Sequence, residues 1–202
     1  MLRSSTTPYQ GRCAVHGGRS TIGTKFSGNT EITAFNELIR FTGISSIAQT
    51  AFQGCTNLES IAIPSQITTI QGYQFRYCAN LASVTLPPAL TSIGDGAFGS
   101  SKLTSIELPP TLKTLGHYAF SSNLFVTLEL PASITTLGQS VFSGCSLLTT
   151  VTCHATTPPT GNGFYFQNCN ALTAIYVPAA SVDAYKADSK WSSYASKIQA
   201  IP

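Results

Sequence analysis

Phenylalanine recurs along the chain at an almost constant interval. Successive members lie 22–24 residues apart, at Phe52, Phe75, Phe98, Phe120, Phe142 and Phe166. A fixed period of this size is typical of a solenoid, in which each repeat forms one coil that stacks on its neighbours. Because a lone coil cannot bury its apolar side chains, the core of such a protein is created by stacking.

Each coil contains a short pattern of alternating apolar and polar residues, usually stopped by proline. The alternation predicts a strand that buries its first and third residues and exposes the middle one. The predicted strands are Ile61–Ile63, Val84–Leu86, Ile106–Leu108, Leu128–Leu130, Val151–Cys153 and Ile175–Val177. A second apolar element follows the proline, as in Ile67 and Ile70.

The composition agrees with this architecture. Only 9% of the residues are charged and 43% are hydrophobic, a balance that argues against disorder. Serine and threonine contribute 50 residues, and their small hydroxyl groups suit the exposed positions of a coil because they bond to nearby turn backbone. No stretch approaches the roughly 18 unbroken apolar residues of a membrane span, so none is expected.

Basic charge is concentrated at the start of the chain. Residues 1–28 contain four basic and no acidic side chains, whereas residues 29–202 contain seven basic and eight acidic ones. The first segment has no counterpart in the repeat, and it lacks the apolar core of a secretory signal. We therefore predict a basic leader over 1–28 and a near-neutral solenoid over 29–202.

The two ends of the solenoid are predicted to differ from the repeats, because an open end exposes apolar surface and unpaired strand groups. We predict an N-terminal cap over 29–43, with a helical turn in Asn36–Arg40, repeats over 44–178 and a C-terminal cap over 179–202. Ser181 is expected to cap a helix that ends near Asp188. The predicted lid over the last coil contains Trp191, Tyr194 and Ile198.

The repeat resembles a known family. From Leu103 to Phe120 the chain has the pattern Leu-Thr-Ser-Ile-x-Leu-Pro-x-x-Leu-x-x-Leu-Gly-x-x-Ala-Phe. This pattern is similar to the bacterial surface-antigen type of leucine-rich repeat, called BspA-like, of gut Bacteroides and their phages. The resemblance implies a mainly β leucine-rich-repeat solenoid with about six coils of 22–24 residues, short parallel strands, an N-terminal cap and a C-terminal cap helix.

The exposed middle positions of the strands form the candidate partner face. Parallel strands about 4.8 Å apart would align these residues into ladders. The predicted face contains Thr85, Ser105, Glu107, Thr127, Glu129, Thr152 and Tyr176. A host or neighbouring protein, or a glycan, is the expected partner. The alternative is a solvated surface without a specific ligand.

Glu107 and Glu129 occupy the middle positions of neighbouring predicted strands. That spacing is close to the roughly 5–5.5 Å between the carboxylates of a retaining glycosidase. Glycosidase carboxylates face each other across a cleft, however, whereas these would project side by side from an open sheet. A plain solvated surface is the favoured interpretation, with a weak cation site or a contact with a basic partner as the alternative.

Four cysteines lie three residues after a repeat phenylalanine. They are Cys55, Cys78, Cys145 and Cys169, and Ser101 and Asn123 hold the same position in the other two coils. A position shared by Cys, Ser and Asn indicates a small group that bonds to turn backbone inside the solenoid. Buried free thiols are therefore favoured over disulfides, with a Cys55–Cys78 bridge between neighbouring coils as the alternative.

No catalytic residue, cofactor or metal site is predicted. Cys13 and His16 form a single C-x-x-H pair without the second pair that a structural zinc site needs. His117 occupies a turn position, where a solvated surface residue is expected, and it has no nucleophile and acid in its register, so a triad is not supported. The four basic residues of the leader are too few to indicate nucleic acid, which is not expected as a partner.

These features are consistent with two functions. The resemblance implies a non-enzymatic protein- or glycan-binding module for surface adhesion or host contact, extracellular or at the cell surface if the chain is part of a longer exported protein. The alternative is a structural or host-attachment subunit of a phage particle. The basic leader would then dock on a neighbouring subunit, and the virion location would account for the missing signal peptide.

Overall fold

The computed structural model describes residues 21–40 and 43–202, which form the predicted solenoid of short parallel strands. Each coil has three sides. The first, the sheet side, is built by β2 (Ala34–Phe35), β4 (Ser60–Ala62), β6 (Ser83–Thr85), β9 (Thr127–Leu130), β11 (Thr150–Cys153), β13 (Ala174–Val177) and β14 (Ile198–Ala200). The second is built by β1 (Thr21–Ile22), β3 (Ser46–Ile47), β5 (Thr69–Ile70), β7 (Ser92–Ile93), β8 (Thr114–Leu115), β10 (Thr136–Leu137) and β12 (Thr160–Gly161).

The third side, the phenylalanine side, consists of the turns around the repeat phenylalanines. Their backbone N–H groups donate to the next coil, as from Phe75 to the carbonyl of Ala97 at 2.9 Å. The rings stack through the core, with adjacent centroids 5.2–5.8 Å apart and ring planes 2–11° from parallel. Phe98 and its stacked neighbours in the middle coils are fully buried, which confirms the predicted inward register.

The array begins earlier than the sequence predicts. β1 pairs in parallel with β3, and the ring of Phe26 stacks on that of Phe52 at 5.3 Å. The interval from Phe26 to Phe52 is 26 residues, outside the 22–24 of the other coils, which is why the pattern missed it. Residues 21–28, predicted to belong to the basic leader, therefore form part of the first coil. Residues 1–20, with the Cys13–His16 pair, lie outside the described residues.

Both predicted caps contain the expected short helices. Asn36–Arg40 forms a 3₁₀ helix, and α1 spans Val182–Ala187 between the 3₁₀ helices Ala179–Ser181 and Ser192–Lys197. Ser181 occupies the N-cap position of α1 but makes no capping bond with its side chain. Its hydroxyl donates instead to the carbonyl of Thr156 at 2.8 Å and so ties the cap to the preceding loop.

The predicted lid covers the last coil. Trp191 is fully buried, and its Nε1–H donates to the carbonyl of Pro159 at 3.1 Å. Its ring centroid lies 6.3 Å from that of Phe166, the last member of the phenylalanine stack. Ile198 opens β14, a strand that the sequence did not predict and that extends the sheet beyond β13. Trp191 therefore completes the core, as the prediction that it is a cap residue requires.

The sheet side is interrupted in the coil that begins at Phe98. Ile106–Leu108, predicted to be a strand, is irregular, so that one sheet ends at β6 and another begins at β9. Leu103 follows Phe98 by five residues, but the turn from Phe120 to Phe125 has the same length and leads into β9. The length of this turn therefore does not account for the missing strand.

Replacing Phe98 by alanine should lower the free energy of unfolding by about 3–5 kcal/mol, because the cavity would lie in the middle of the stack. Equilibrium unfolding in urea measures this loss. A decrease of less than about 1 kcal/mol would contradict the burial of this ring, given the usual cost of such cavities.

Candidate binding face

The middle positions of three neighbouring strands form one continuous exposed row. Glu129 on β9 lies opposite Thr152 on β11, which lies opposite Tyr176 on β13, and Gln199 on β14 extends the row. Glu129 is exposed, whereas Thr152 and Tyr176 are half-buried. Parallel pairing thus brings together three of the predicted face residues from positions 23–24 residues apart in the chain.

The other members of the predicted face are separated from this row or lie at its margin. Thr127 is the first residue of β9, on the same sheet, whereas Thr85 ends β6 on the other side of the interruption. Ser105 and Glu107 lie in the irregular segment and are exposed. The prediction that Glu107 and Glu129 occupy neighbouring strands is therefore wrong, because the coil of Glu107 forms no strand there.

Glu129 lies beside a histidine. Nε2 of His154 lies 3.6 Å from Oε2 of Glu129, with side-chain exposures of 43% and 79%. Solvent screens a pair this exposed, so its contribution to stability is small. The row consequently offers a carboxylate, an imidazole, a hydroxyl and a phenol ring on an open surface, groups that suit hydrogen bonding to a partner.

The cysteine column points into the solenoid, as predicted. The five described cysteines are free and buried. In four of them the thiol donates to the carbonyl of a repeat phenylalanine in the preceding coil. These bonds join Cys55 to Phe26 at 2.9 Å, Cys78 to Phe52 at 3.1 Å, Cys145 to Phe120 at 3.4 Å and Cys169 to Phe142 at 3.1 Å.

Burial suppresses the acidity of most of these thiols. It raises the pKa of Cys55 to about 11 and that of Cys78 to about 12. The neighbouring thiol of Cys169, together with burial, raises the pKa of Cys145, while the neighbouring thiol of Cys145 lowers the pKa of Cys169. Because the thiolate is the nucleophilic form, Cys55 and Cys78 are poor nucleophiles at neutral pH.

In a Cys13→Ser background, Cys55 and Cys78 should resist alkylation by iodoacetamide in the folded protein and react fully in urea. Raising the pH from about 7 to about 9 should accelerate labelling of an ordinary thiol of pKa near 8.5. It should leave these two unreactive, because their pKa values of about 11 and 12 remain above that range. Mass spectrometry of the labelled peptides measures the rates, and rapid labelling of Cys78 in the native state would contradict its burial.

Asn123 and Ser101 occupy the cysteine position in two middle coils. The side chain of Asn123 is hydrogen-bonded there, whereas that of Ser101 is not. The side-chain amide of Asn123 donates to the carbonyls of Phe98 and Phe120, and its Oδ1 accepts from the backbone N–H of Leu103. The hydroxyl of Ser101 is buried and has no hydrogen-bond partner. The position therefore needs a side chain long enough to reach the neighbouring coil.

Asn123→Ala should lower the free energy of unfolding by about 1–3 kcal/mol, because it leaves buried backbone groups without partners. Ser101→Ala, the matched control, removes a hydroxyl that has no partner and should change stability by less than about 0.5 kcal/mol. Urea unfolding of the two variants measures the difference, and equal losses would contradict the assigned bonding.

His117 has a structural role that its sequence position did not reveal. Its backbone N–H donates to Oδ1 of Asp95 at 2.7 Å, and its Nδ1 accepts from the backbone N–H of Gln139 at 2.9 Å. The three residues lie at the same point of successive coils. The imidazole therefore links one turn to the next, and it is half-buried, not the solvated surface residue that was predicted.

A cluster on the phenylalanine side was also missed from the sequence. The guanidinium carbon of Arg76 lies 5.2 Å from the ring centroid of Tyr73 and 4.6 Å from that of Tyr77. One signal was available. Tyr77 stands at a position where the other repeat coils carry glycine, serine or asparagine.

Within the described residues, no three His, Cys, Asp or Glu side chains come together closely enough to hold a metal ion. None of the described helices has the length and apolar character needed to cross a lipid bilayer.

Comparison with known proteins agrees with the geometry. Six copies of the BspA type leucine rich repeat region match the chain, over residues 21–148 and 68–189. The chain belongs to this family. The match begins at residue 21, where β1 begins, and it ends within the C-terminal cap. No curated protein sequence is significantly similar to the chain.

Several solved structures share this fold. A leucine-rich repeat protein from Bacteroides ovatus is 28% identical, with a TM-score of 0.61 over 73% of this chain and 40% of the other. The T. pallidum leucine rich repeat protein is 25% identical, with a TM-score of 0.62 over 79% of this chain and 73% of the other. The pneumococcal vaccine antigen PcpA, at 17% identity, has a TM-score of 0.56 over 93% of this chain and 59% of the other. The chain thus spans less than half of the Bacteroides ovatus protein.

Proposed function

We propose that this protein is a non-enzymatic binding module whose sheet side contacts a protein or glycan in surface adhesion or host contact. Membership of the BspA type family supports a protein-binding or surface-associated role. The observation that carries the proposal is the row formed by Glu129, Thr152, Tyr176 and Gln199, which four parallel strands hold at fixed spacing. A partner that binds this row loses little conformational entropy of the module, because the row is already ordered.

The proposed location is extracellular or at the cell surface, within a longer exported protein. The chain spans 40% of the Bacteroides ovatus relative, and this partial coverage supports a place within a longer protein. The alternative, a phage subunit docked through residues 1–28, loses part of its basis because residues 21–28 belong to the first coil. The other residues on which this alternative rests, 1–20, lie outside the described residues.

Combined replacement of Glu107, Glu129 and Tyr176 by alanine should weaken capture of the partner from extracts of host epithelial surfaces. Glu107 and Glu129 are exposed and Tyr176 is half-buried at the surface, so stability should change by no more than about 0.5 kcal/mol per site. The measurement compares the bound proteins and glycans on beads carrying either form of the array.

Lys113→Ala is the control for this experiment, since Lys113 is exposed next to β8 on the second side of the coil. Capture should be unchanged by this replacement. Equal capture by the triple variant and the unaltered array would exclude the sheet side as the binding surface.

A further inference from the structure

The phenylalanine side carries an exposed aromatic cluster that the proposed function does not use. We call it the aromatic ridge and define it as Tyr73, Arg76, Tyr77 and Tyr118. Arg76 lies over the rings of Tyr73 and Tyr77, at 5.2 Å and 4.6 Å from their centroids. Tyr118 occupies the position of Tyr73 two coils further along the stack. Tyr77 and Tyr118 are 46% and 48% exposed, so the core does not account for their side chains.

The backbone at all three tyrosines is left-handed. Their φ angles are 58° at Tyr73, 62° at Tyr77 and 54° at Tyr118. A residue with a Cβ atom is disfavoured in this conformation, which glycine adopts freely. Gly96 holds the register of Tyr73 and Tyr118, and Gly54 holds that of Tyr77. Other non-glycine residues adopt the same conformation, at Thr50, Ser140 and Phe164 in the register of Tyr73 and at Ser100, Ser122 and Asn168 in that of Tyr77. The turn therefore accepts small side chains, and it does not itself require the large rings of Tyr77 and Tyr118.

The coil between those of Tyr73 and Tyr118 carries a glycine, Gly96, beneath the ring of Tyr73. A Cβ atom added to Gly96 would lie 2.9 Å from Cδ1 and Cε1 of Tyr73, so the ring covers this glycine closely. Tyr73 is consequently supported from below by backbone and from the side by Arg76. The cluster is held in place before any ligand arrives, which lowers the entropic cost of binding.

Arg76 offers a positive charge that no described acidic residue neutralises. No carboxylate within the described residues lies at ion-pair distance from its guanidinium group. Contact with the tyrosine rings orients the guanidinium plane and leaves N–H edges that can bind a carboxylate through two parallel hydrogen bonds. The charge of the ridge therefore selects an anionic ligand.

We propose that the aromatic ridge is a binding site for an acidic saccharide, such as a uronic or sialic acid unit. The carboxylate would pair with Arg76, and the C–H groups of the sugar ring would pack on the exposed tyrosine rings, whose faces carry negative partial charge. A protein partner of standard size contacts about 20–30 residues on each side, far more than the four side chains of the ridge. The small area and the single unpaired cation fit a sugar unit better.

This proposal is independent of the sheet side. The ridge lies on the phenylalanine side of the coil, and none of its residues belongs to a sheet strand. If the triple sheet-side variant still captured the partner, the proposal for the aromatic ridge would be unaffected. Equally, a ridge without saccharide binding would leave the sheet-side proposal intact.

The test uses the full chain and three acidic probes: tetragalacturonate, a hyaluronan tetrasaccharide and 3′-sialyllactose. Their neutral counterparts are the methyl-esterified tetragalacturonate, a chitin tetrasaccharide and lactose. Isothermal titration and two-dimensional NMR at millimolar probe concentrations should show binding of at least one acidic probe, weakened by added salt. The neutral counterpart of that probe should bind at least about tenfold more weakly, equivalent to about 1.4 kcal/mol.

Three variants locate the site. Arg76→Gln should weaken binding by at least about tenfold, equivalent to about 1.4 kcal/mol. Tyr77→Gly and Tyr118→Gly should weaken it while keeping or raising the melting temperature, because glycine relieves the left-handed strain. Phe164→Gly is the matched control, since Phe164 is 59% exposed with a φ of 54° but has no ring contact with an arginine.

Binding of an acidic probe that is lost in Arg76→Gln and Tyr77→Gly and retained in Phe164→Gly would support the proposal. Absence of binding by all three acidic probes would overturn it. Equal binding of an acidic probe and its neutral counterpart, or binding that survives Arg76→Gln, would overturn it as well.

Discussion

The stacking of one coil on the next is the constraint on which the structure depends. Rings of the repeat phenylalanines lie 5.2–5.8 Å apart, close to the spacing between hydrogen-bonded strands. The distance between coils that backbone pairing requires on three sides therefore also suits the stacking of the rings inside. Every coil exposes its own apolar side chains until the next one covers them, so the last ring needs a lid. Trp191 supplies it and is fully buried.

The same stacking explains the chemistry of the interior. The position three residues after each repeat phenylalanine faces a carbonyl of the preceding coil, and a thiol or an amide can reach it. Serine at position 101 does not, and its hydroxyl remains without a partner. The cysteines are thus structural hydrogen-bond donors, and burial raises the pKa of Cys55 and Cys78 far above neutral pH. Their presence does not indicate redox or nucleophilic catalysis.

The exterior offers two surfaces of different character. The sheet side presents one row of polar groups from β9 to β14, interrupted towards β6 by the irregular segment around Glu107. The phenylalanine side presents tyrosine rings around an arginine, on backbone that glycine would occupy with less strain. Both surfaces are rigid because the hydrogen bonds of the coil order them. The two proposed sites would not compete for space, since they lie on different sides of the coil.

The sequence by itself determined the solenoid, the inward direction of the phenylalanines and cysteines, and the positions of the cap helices. These follow from periodicity, because a side chain that recurs every 22–24 residues meets its equivalent in the next coil. Only the tertiary structure decided where neighbouring coils pair: Ile106–Leu108 and Leu128–Leu130 share the apolar–polar–apolar pattern, yet only the second lies in a strand. Pairing depends on backbone geometry, which the pattern does not record. Tertiary structure also revealed the first coil at Phe26 and the contact of Arg76 with Tyr73 and Tyr77. The irregular interval hid Phe26, and backbone conformation, which the residue pattern does not record, sets the geometry of the ridge.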